Sequence, residues 1–274
     1  MKTILKFLRY LCICFICCLC LIPFIVLVIL SLNTPKRVFY EGNMFIPDFY
    51  FYNYIEGWIK SNIGRAMLNS AIITLMSLII IIFLCSMAAY TIARFKYRFN
   101  KLIFGTLICC MMIPGIINTV PLYTLMIDLH AINTLWGMAM VCATLALPQS
   151  IFVFHGFIKS LPKEMEESAI IDGCSWFSAF WRIIFPLLKP AASAIIILNG
   201  FGIWNNYSQA VFFLQDSKKH NIPQALSVYF QQFAGAHWNL MAATAVIAIV
   251  PIMIAFLLFQ KNLMGGLTDG AIKG

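Results

Sequence analysis

Three long apolar runs constrain this chain more than any other feature. Leu11–Leu32, Met67–Tyr90 and Asn239–Gln260 each hold roughly 20 or more mostly apolar residues, enough to cross about 30 Å of hydrocarbon as helix. A globular core has no use for runs of that length. The whole chain is 62% hydrophobic and 11% charged, with a mean hydropathy of +0.88, far from the balance of an ordinary soluble domain. Six candidate spans follow, at about residues 11–32, 67–90, 102–125, 134–157, 187–210 and 239–260. The expected fold is all-α, a polytopic membrane protein with six transmembrane helices. Residues 1–66 would supply the N-terminal transmembrane helix and an outer loop. Residues 67–274 would form a five-helix core with a loop at about 158–186 and a tail at 261–274.

The opening residues, MKTILKFLRYLCICFICCLC, imitate a signal peptide, with Lys2, Lys6 and Arg9 ahead of an apolar run. The run lasts about 22 residues and no small-x-small cleavage site follows it, so a retained helix is expected. Cys12, Cys14, Cys17, Cys18 and Cys20 crowd that run. They lack the histidine or carboxylate partners and the closed shell of a metal site, so they read as apolar fillers, and no metal site is expected. The other five cysteines are scattered and imply no disulfide frame.

The net charge of +9 does not point to nucleic acid, because the cations sit at span ends and form no basic stripe with interleaved aromatics. With the N-terminus inside, 13 of the 19 basic residues fall on inner segments and six on outer ones. That bias places both termini in the cytoplasm.

Within the spans, Pro114-Gly115 and Pro121 interrupt the third, Pro148 the fourth, and Gly200 and Gly202 lie in the fifth. Such residues either kink helices or leave backbone groups facing a wet cavity. The fifth span also gathers Asn199, Trp204, Asn205, Asn206, Tyr207 and Gln209. This group is a candidate translocation pathway for a neutral, hydroxyl-rich solute, or a set of interhelical hydrogen bonds worth under about 1–2 kcal/mol each. His155 is the exception to a near absence of ionisable residues in the spans, whereas ion-coupled carriers bury a charge relay.

The densest acidic cluster lies between spans four and five, in PKEMEESAIIDG, Pro162–Gly173. Pro162 suits a helix start, and Glu164, Glu166 and Glu167 suit the positive end of the helix dipole. Met165 and Ala169, with Ile171 or Asp172, give one semi-apolar face, and Gly173 fits the C-terminal stop. The three glutamates are expected to face a partner or water. Ser175 would cap a second, aromatic helix with Trp176, Phe177, Phe180 and Trp181, and Pro186 would open the fifth span. Exposed aromatics on such a loop suggest docking or burial beneath the bundle.

These residues resemble a family. Membrane subunits of binding-protein-dependent ABC importers carry a cytoplasmic Glu-Ala-Ala, three residues, Gly, nine residues, then Ile-x-Leu-Pro. Here Glu167-Ser168-Ala169, three residues, Gly173, nine residues and Ile183-Ile184-Phe185-Pro186 keep that spacing, with Ser168 and Phe185 as mild departures. NSAIITLMSL, AAYTIARFKYRF, MMIP with VPLYTLM, and the tail FQKNLMGGLTDGAIKG resemble its carbohydrate-uptake branch, of maltose and glycerol-3-phosphate type. The match covers nearly all of residues 65–274.

The resemblance implies the permease fold of an ABC type-I importer with a cytoplasmic coupling helix. Glu167, Ser168, Ala169, Asp172, Gly173, Ile183 and Pro186 would carry ATPase coupling. Gly270 and Lys273, in the tail, would reach between the ATPases, and the outer loop 211–238 would touch an extracellular solute-binding protein. The implied partners are a second, different permease chain and two copies of an ABC ATPase. ATP would be bound by those ATPases, with no cofactor in this chain, in the plasma membrane of a prokaryote. From the residues themselves, no G-x-x-x-x-G-K-[ST] loop occurs, so the chain lacks that means of holding ATP. The competing readings are an ABC permease for another solute class and an ion-coupled carrier or channel. An enzyme is disfavoured, since neither H-E-x-x-H nor G-x-S-x-G occurs.

Overall fold

Most of the apolar runs become helices longer than the runs themselves, because in hydrocarbon every backbone N–H and C=O must be paired within the chain. The structure is a computed structural model. It describes the backbone of residues 2–38, 45–230 and 237–271, and the side chains of 6–38, 45–230 and 237–258. Helix α1 is Lys2–Ser31, α3 is Ile63–Arg94, α6 is Leu135–Ser160 and α13 is Trp238–Ala271. These four hold stretches long and apolar enough to cross a membrane, and among the described residues all regular structure is helical.

The third expected span, 102–125, is not one helix. It divides into α4 (Arg98–Met111) and α5 (Thr119–Asp128), separated by turns around Pro114-Gly115. Proline removes a backbone donor and clashes with the preceding turn, and glycine gives away helix propensity. Neither half alone spans a bilayer, since 14 residues of helix reach only about 21 Å.

The fifth expected span also differs. A helix α10, Lys189–Trp204, is preceded by α8 (Trp176–Ala179), a π-turn (Phe180–Ile184) and α9 (Phe185–Leu187). The two parts meet at 68°. Pro186 therefore lies in α9, and Pro190 occupies the first turn of the span. The span ends at Trp204, so Asn205, Asn206 and Gln209 lie beyond it rather than within it. Asn205 closes the helix by donating its side-chain amide to the Phe201 carbonyl at 3.0 Å. In the tail, α13 continues as helix through 261–271. Lys273 lies outside the described residues.

The chain divides into two compact units. The first comprises Met1–Gly64 and Ala225–Pro251 and is knotted by buried amides. Asn53 donates to the carbonyls of Ser31 and Asn33, at 2.8 Å each, and accepts from Asn239. The N-terminal part of α2 (Tyr52–Lys60) is thereby held to the end of α1. The Tyr229 hydroxyl donates to the Gly57 carbonyl, and a Cβ on Gly57 would meet Thr244 Oγ1 at 2.6 Å, so a larger residue there would have to displace Thr244.

The second unit, Arg65–Gln224 with Ile252–Gly274, holds the main core. Ile73, Ile81, Cys85 and Ala89 of α3 meet Met138, Val141, Ile151, Phe154 and Ile158 of α6, with Ile184, Leu188 and Ile195 from the bent span. Small residues let backbones approach. Ser77 Oγ bonds its own helix at Ile73 O (2.8 Å) and reaches Ala139 O on α6 (3.1 Å).

Candidate functional site

Helix α7, Glu164–Ile171, forms from the acidic stretch. Its three glutamates sit in the first turn, where the macrodipole favours them. Its end is closed by a Schellman motif: Cys174 N donates to Ala169 O at 2.9 Å and Gly173 N to Ile170 O at 3.0 Å. Gly173 adopts φ +91°, with open space where a Cβ would stand. The backbone conformation, not crowding, requires glycine here.

One expectation is overturned on this helix. Glu166 does not face water; its side chain is 2% exposed. Glu166, Ala169 and Ile170 recur at i, i+3 and i+4 and form the less exposed face, leaving Glu164, Glu167, Ser168 and Ile171 outside. Arg94, the last residue of α3, brings Nε to 2.6 Å from Glu166 Oε1, and its own side chain is 3% exposed. Arg94 Nη2 also donates to the Leu161 carbonyl at 3.2 Å, in the link between α6 and α7. The Tyr90 hydroxyl is buried beside the same carboxylate without a well-formed hydrogen bond to it. Sequence reasoning missed this pair. Arg94 looked like one more inner-loop cation, and three neighbouring glutamates gave no sign of which one turned inward.

The motif residues fall into two groups. Glu167, Ser168, Asp172 and Gly173 are exposed on or just beyond α7, with Ala169 half-buried and the Ser168 hydroxyl bonded back to the Glu164 carbonyl. Ile183 is half-buried in the π-turn and Pro186 exposed in α9. Ser175 caps α8 as its position suggested, accepting from Ser178 N at 3.2 Å. Beside it lies an apolar groove of about 160 Å³, lined by Met87, Tyr90, Thr91, Phe95, Trp176, Phe177 and Phe180.

A larger cleft of about 580 Å³ opens at the break between α4 and α5. Its wall includes Asn118, Thr144, Gln149, Pro121 and Pro148, and no charged residue lines it. The expected pathway amides lie elsewhere. Asn199 donates to Ser150 Oγ at 3.1 Å, tying α10 to α6. Asn206 donates to Cys142 Sγ at 3.8 Å and accepts from Gln209 N at 3.0 Å. Trp204 is half-buried and Asn205 exposed, and none of the four lines the cleft. Beyond α10, Asn221 donates to Asn206 O at 2.6 Å, and Asn69 holds the Lys218 and His220 carbonyls. Residues 206–224 are thus tied down by amides. Gly270 lies in the last turns of α13. Among the described residues no cluster of metal-ligating side chains is present.

Comparison with known proteins bears on this geometry. Residues 81–267 match the family described as binding-protein-dependent transport system inner membrane component. The chain is 37% identical over 250 residues to the melibiose/raffinose/stachyose import permease protein MelC of Bacillus subtilis, covering 90% of each. It is 30% identical to the diacetylchitobiose uptake system permease protein NgcG of Streptomyces coelicolor, over 83% of this chain and 76% of that one. Its fold superposes with a TM-score of 0.82 on a chain of a bacterial ABC transporter involved in the import of alginate. That match has 19% identity and covers 94% of this chain and 96% of the other.

Proposed function

The chain belongs to the family of inner membrane components of binding-protein-dependent transport systems, and from that premise we propose that it is the permease subunit through which an ATP-driven importer passes a di- or oligosaccharide. The observation that carries the sugar is the 37% identity, across 90% of both chains, to a permease named for melibiose, raffinose and stachyose. The uncharged cleft supports a neutral solute: its volume falls within the roughly 300–1,000 Å³ of small-ligand sites, and Asn118, Thr144 and Gln149 offer hydrogen bonds without charge.

In this scheme α7 is the coupling helix. It stands at the cytoplasmic face, as the bias of basic residues argues, and presents Glu167, Ser168, Asp172 and Gly173 to a groove on an ATPase. The exposed aromatics Trp176 (44%) and Phe177 (63%) extend that surface, as exposed apolar patches on a fixed loop do at partner contacts. ATP is bound by the ATPase chains. A second permease completes the path, and the amide-tied outer loop receives an extracellular binding protein.

Gentle detergent purification of the tagged chain from its native membrane, with partners identified by mass, tests the assembly. Uptake of labelled raffinose by the complex reconstituted with its binding protein tests the cargo. Recovery of a P-loop ATPase and a second permease, with ATP-dependent raffinose uptake, is expected. Recovery of the chain alone would overturn the assembly. An intact complex that imports another solute class and no sugar would overturn the cargo.

A further inference from the structure

We infer that Arg94 and Glu166 form the strut that carries movement of α7 into the membrane-crossing helices, an inference that rests on the coupling role proposed above. Two covalent routes leave α7, and neither is a continuous helix. Forward, the chain passes through the Gly173 turn, the four residues of α8, a π-turn, the three residues of α9 and a 68° bend before α10 begins. Backward, it passes through a non-helical link at residues 161–163 to α6. By contrast α3 is a single helix of 32 residues without internal proline, and the ion pair joins its last residue to α7 directly.

Arg94 Nε lies 2.6 Å from Glu166 Oε1 with both side chains almost wholly buried. Arg94 Nη2 also holds the Leu161 carbonyl of the link, so one guanidinium fixes both α7 and the segment leading to it. Two ring contacts flank the pair. Tyr90 packs on Phe180 of the π-turn at 5.1 Å, and Phe95 on Trp176 of α8 at 5.2 Å. The end of α3 is itself closed by Asn100, whose amide donates to Thr91 O (3.1 Å) and Phe95 O (2.7 Å). A buried ion pair is poor evidence for stability, since an apolar pair of equal volume often serves as well. It does fix geometry, and here it joins two helices that are far apart along the chain.

The test uses the complete reconstituted complex, wild type and with Glu166→Gln, Arg94→Gln or the exchange Arg94→Glu/Glu166→Arg. Two quantities are read: ATPase retained on the purified permease, and solute imported per ATP hydrolysed. Each single variant should keep its ATPase and lose about tenfold in import per ATP, within the usual range of coupling between sites. The exchanged pair restores the ion pair but not the bond to the Leu161 carbonyl, so it should regain part of that loss. Wild-type import per ATP in either single variant would overturn the strut, as would an exchanged pair that regains nothing. Variants that lose the ATPase or fail to accumulate would overturn it too, assigning the pair to assembly. A wild-type complex that imports nothing on ATP would remove the coupling reading itself, a result distinct from unaltered variants of a working importer.

Discussion

At the residue scale, the energetics of the Arg94–Glu166 pair follow from where it sits. Replacing one member by an apolar side chain strands the other charge beside Tyr90 and Leu161, which costs about 3–5 kcal/mol, whereas a glutamine in its place keeps a hydrogen-bonding group there and should cost less. Replacing both by Met and Leu removes two desolvation penalties together and should be close to neutral. Thermal unfolding in detergent of Glu166→Leu, Arg94→Met and the double variant measures this. The singles should melt well below wild type and the double near it. A double variant as unstable as the sum of the singles would show that the charges themselves hold the fold. Only the intact pair is expected to couple, so the double variant separates stability from transmission.

At the element scale, Asp48 ties residues 45–51, ahead of α2, to residues 32–38, just past α1. Its carboxylate accepts from Thr34 N (3.1 Å) and Thr34 Oγ1 (2.8 Å) and pairs with Arg37 at 2.5 Å. The hydrogen bonds from Thr34, then the nearby guanidinium, hold the Asp48 carboxyl below its ordinary range. A folded-state pKa below the unfolded value stabilises this tie above the unfolded value, near 4, and that support disappears as pH falls through the folded value. Limited proteolysis of these residues should therefore accelerate below about pH 4, and Asp48→Asn should cleave at one rate across that range. Acid-independent cleavage of the wild type would exclude the carboxylate as the tie.

At the scale of the whole molecule, the orientation of the chain rests on its basic residues. Cys174, half-buried just past Gly173, reports it. An impermeant maleimide, read peptide by peptide, should label Cys174 in inside-out vesicles and leave it unmodified in right-side-out ones. The reverse pattern would place α7 outside the cell and away from any ATPase. Cys85 and Cys142 are buried in the core and serve as internal controls, reacting only after denaturation. The large exposed apolar residues along α1, such as Phe7, Leu11, Phe15 and Leu21, present the surface expected of a helix in lipid.

The sequence by itself determined the class of fold, the positions of the four uninterrupted long helices, the cap at Ser175 and the stop at Gly173. Those features depend on local causes: run length against bilayer thickness, a side-chain oxygen before a helix, a backbone angle that favours glycine. Motif spacing likewise made the family legible, since spacing along one chain needs no third dimension. The break in the third span at Pro114-Gly115 is local in the same way. Only the tertiary structure decided which glutamate of α7 turns inward, that the approach to α10 bends by 68°, and that Asn199 and Asn206 bond to α6. Each of those outcomes depends on what a neighbouring element offers. Glu166 and Glu167 are chemically identical and adjacent, and Arg94, 72 positions before the first of them, tells them apart only once α3 and α7 are packed together.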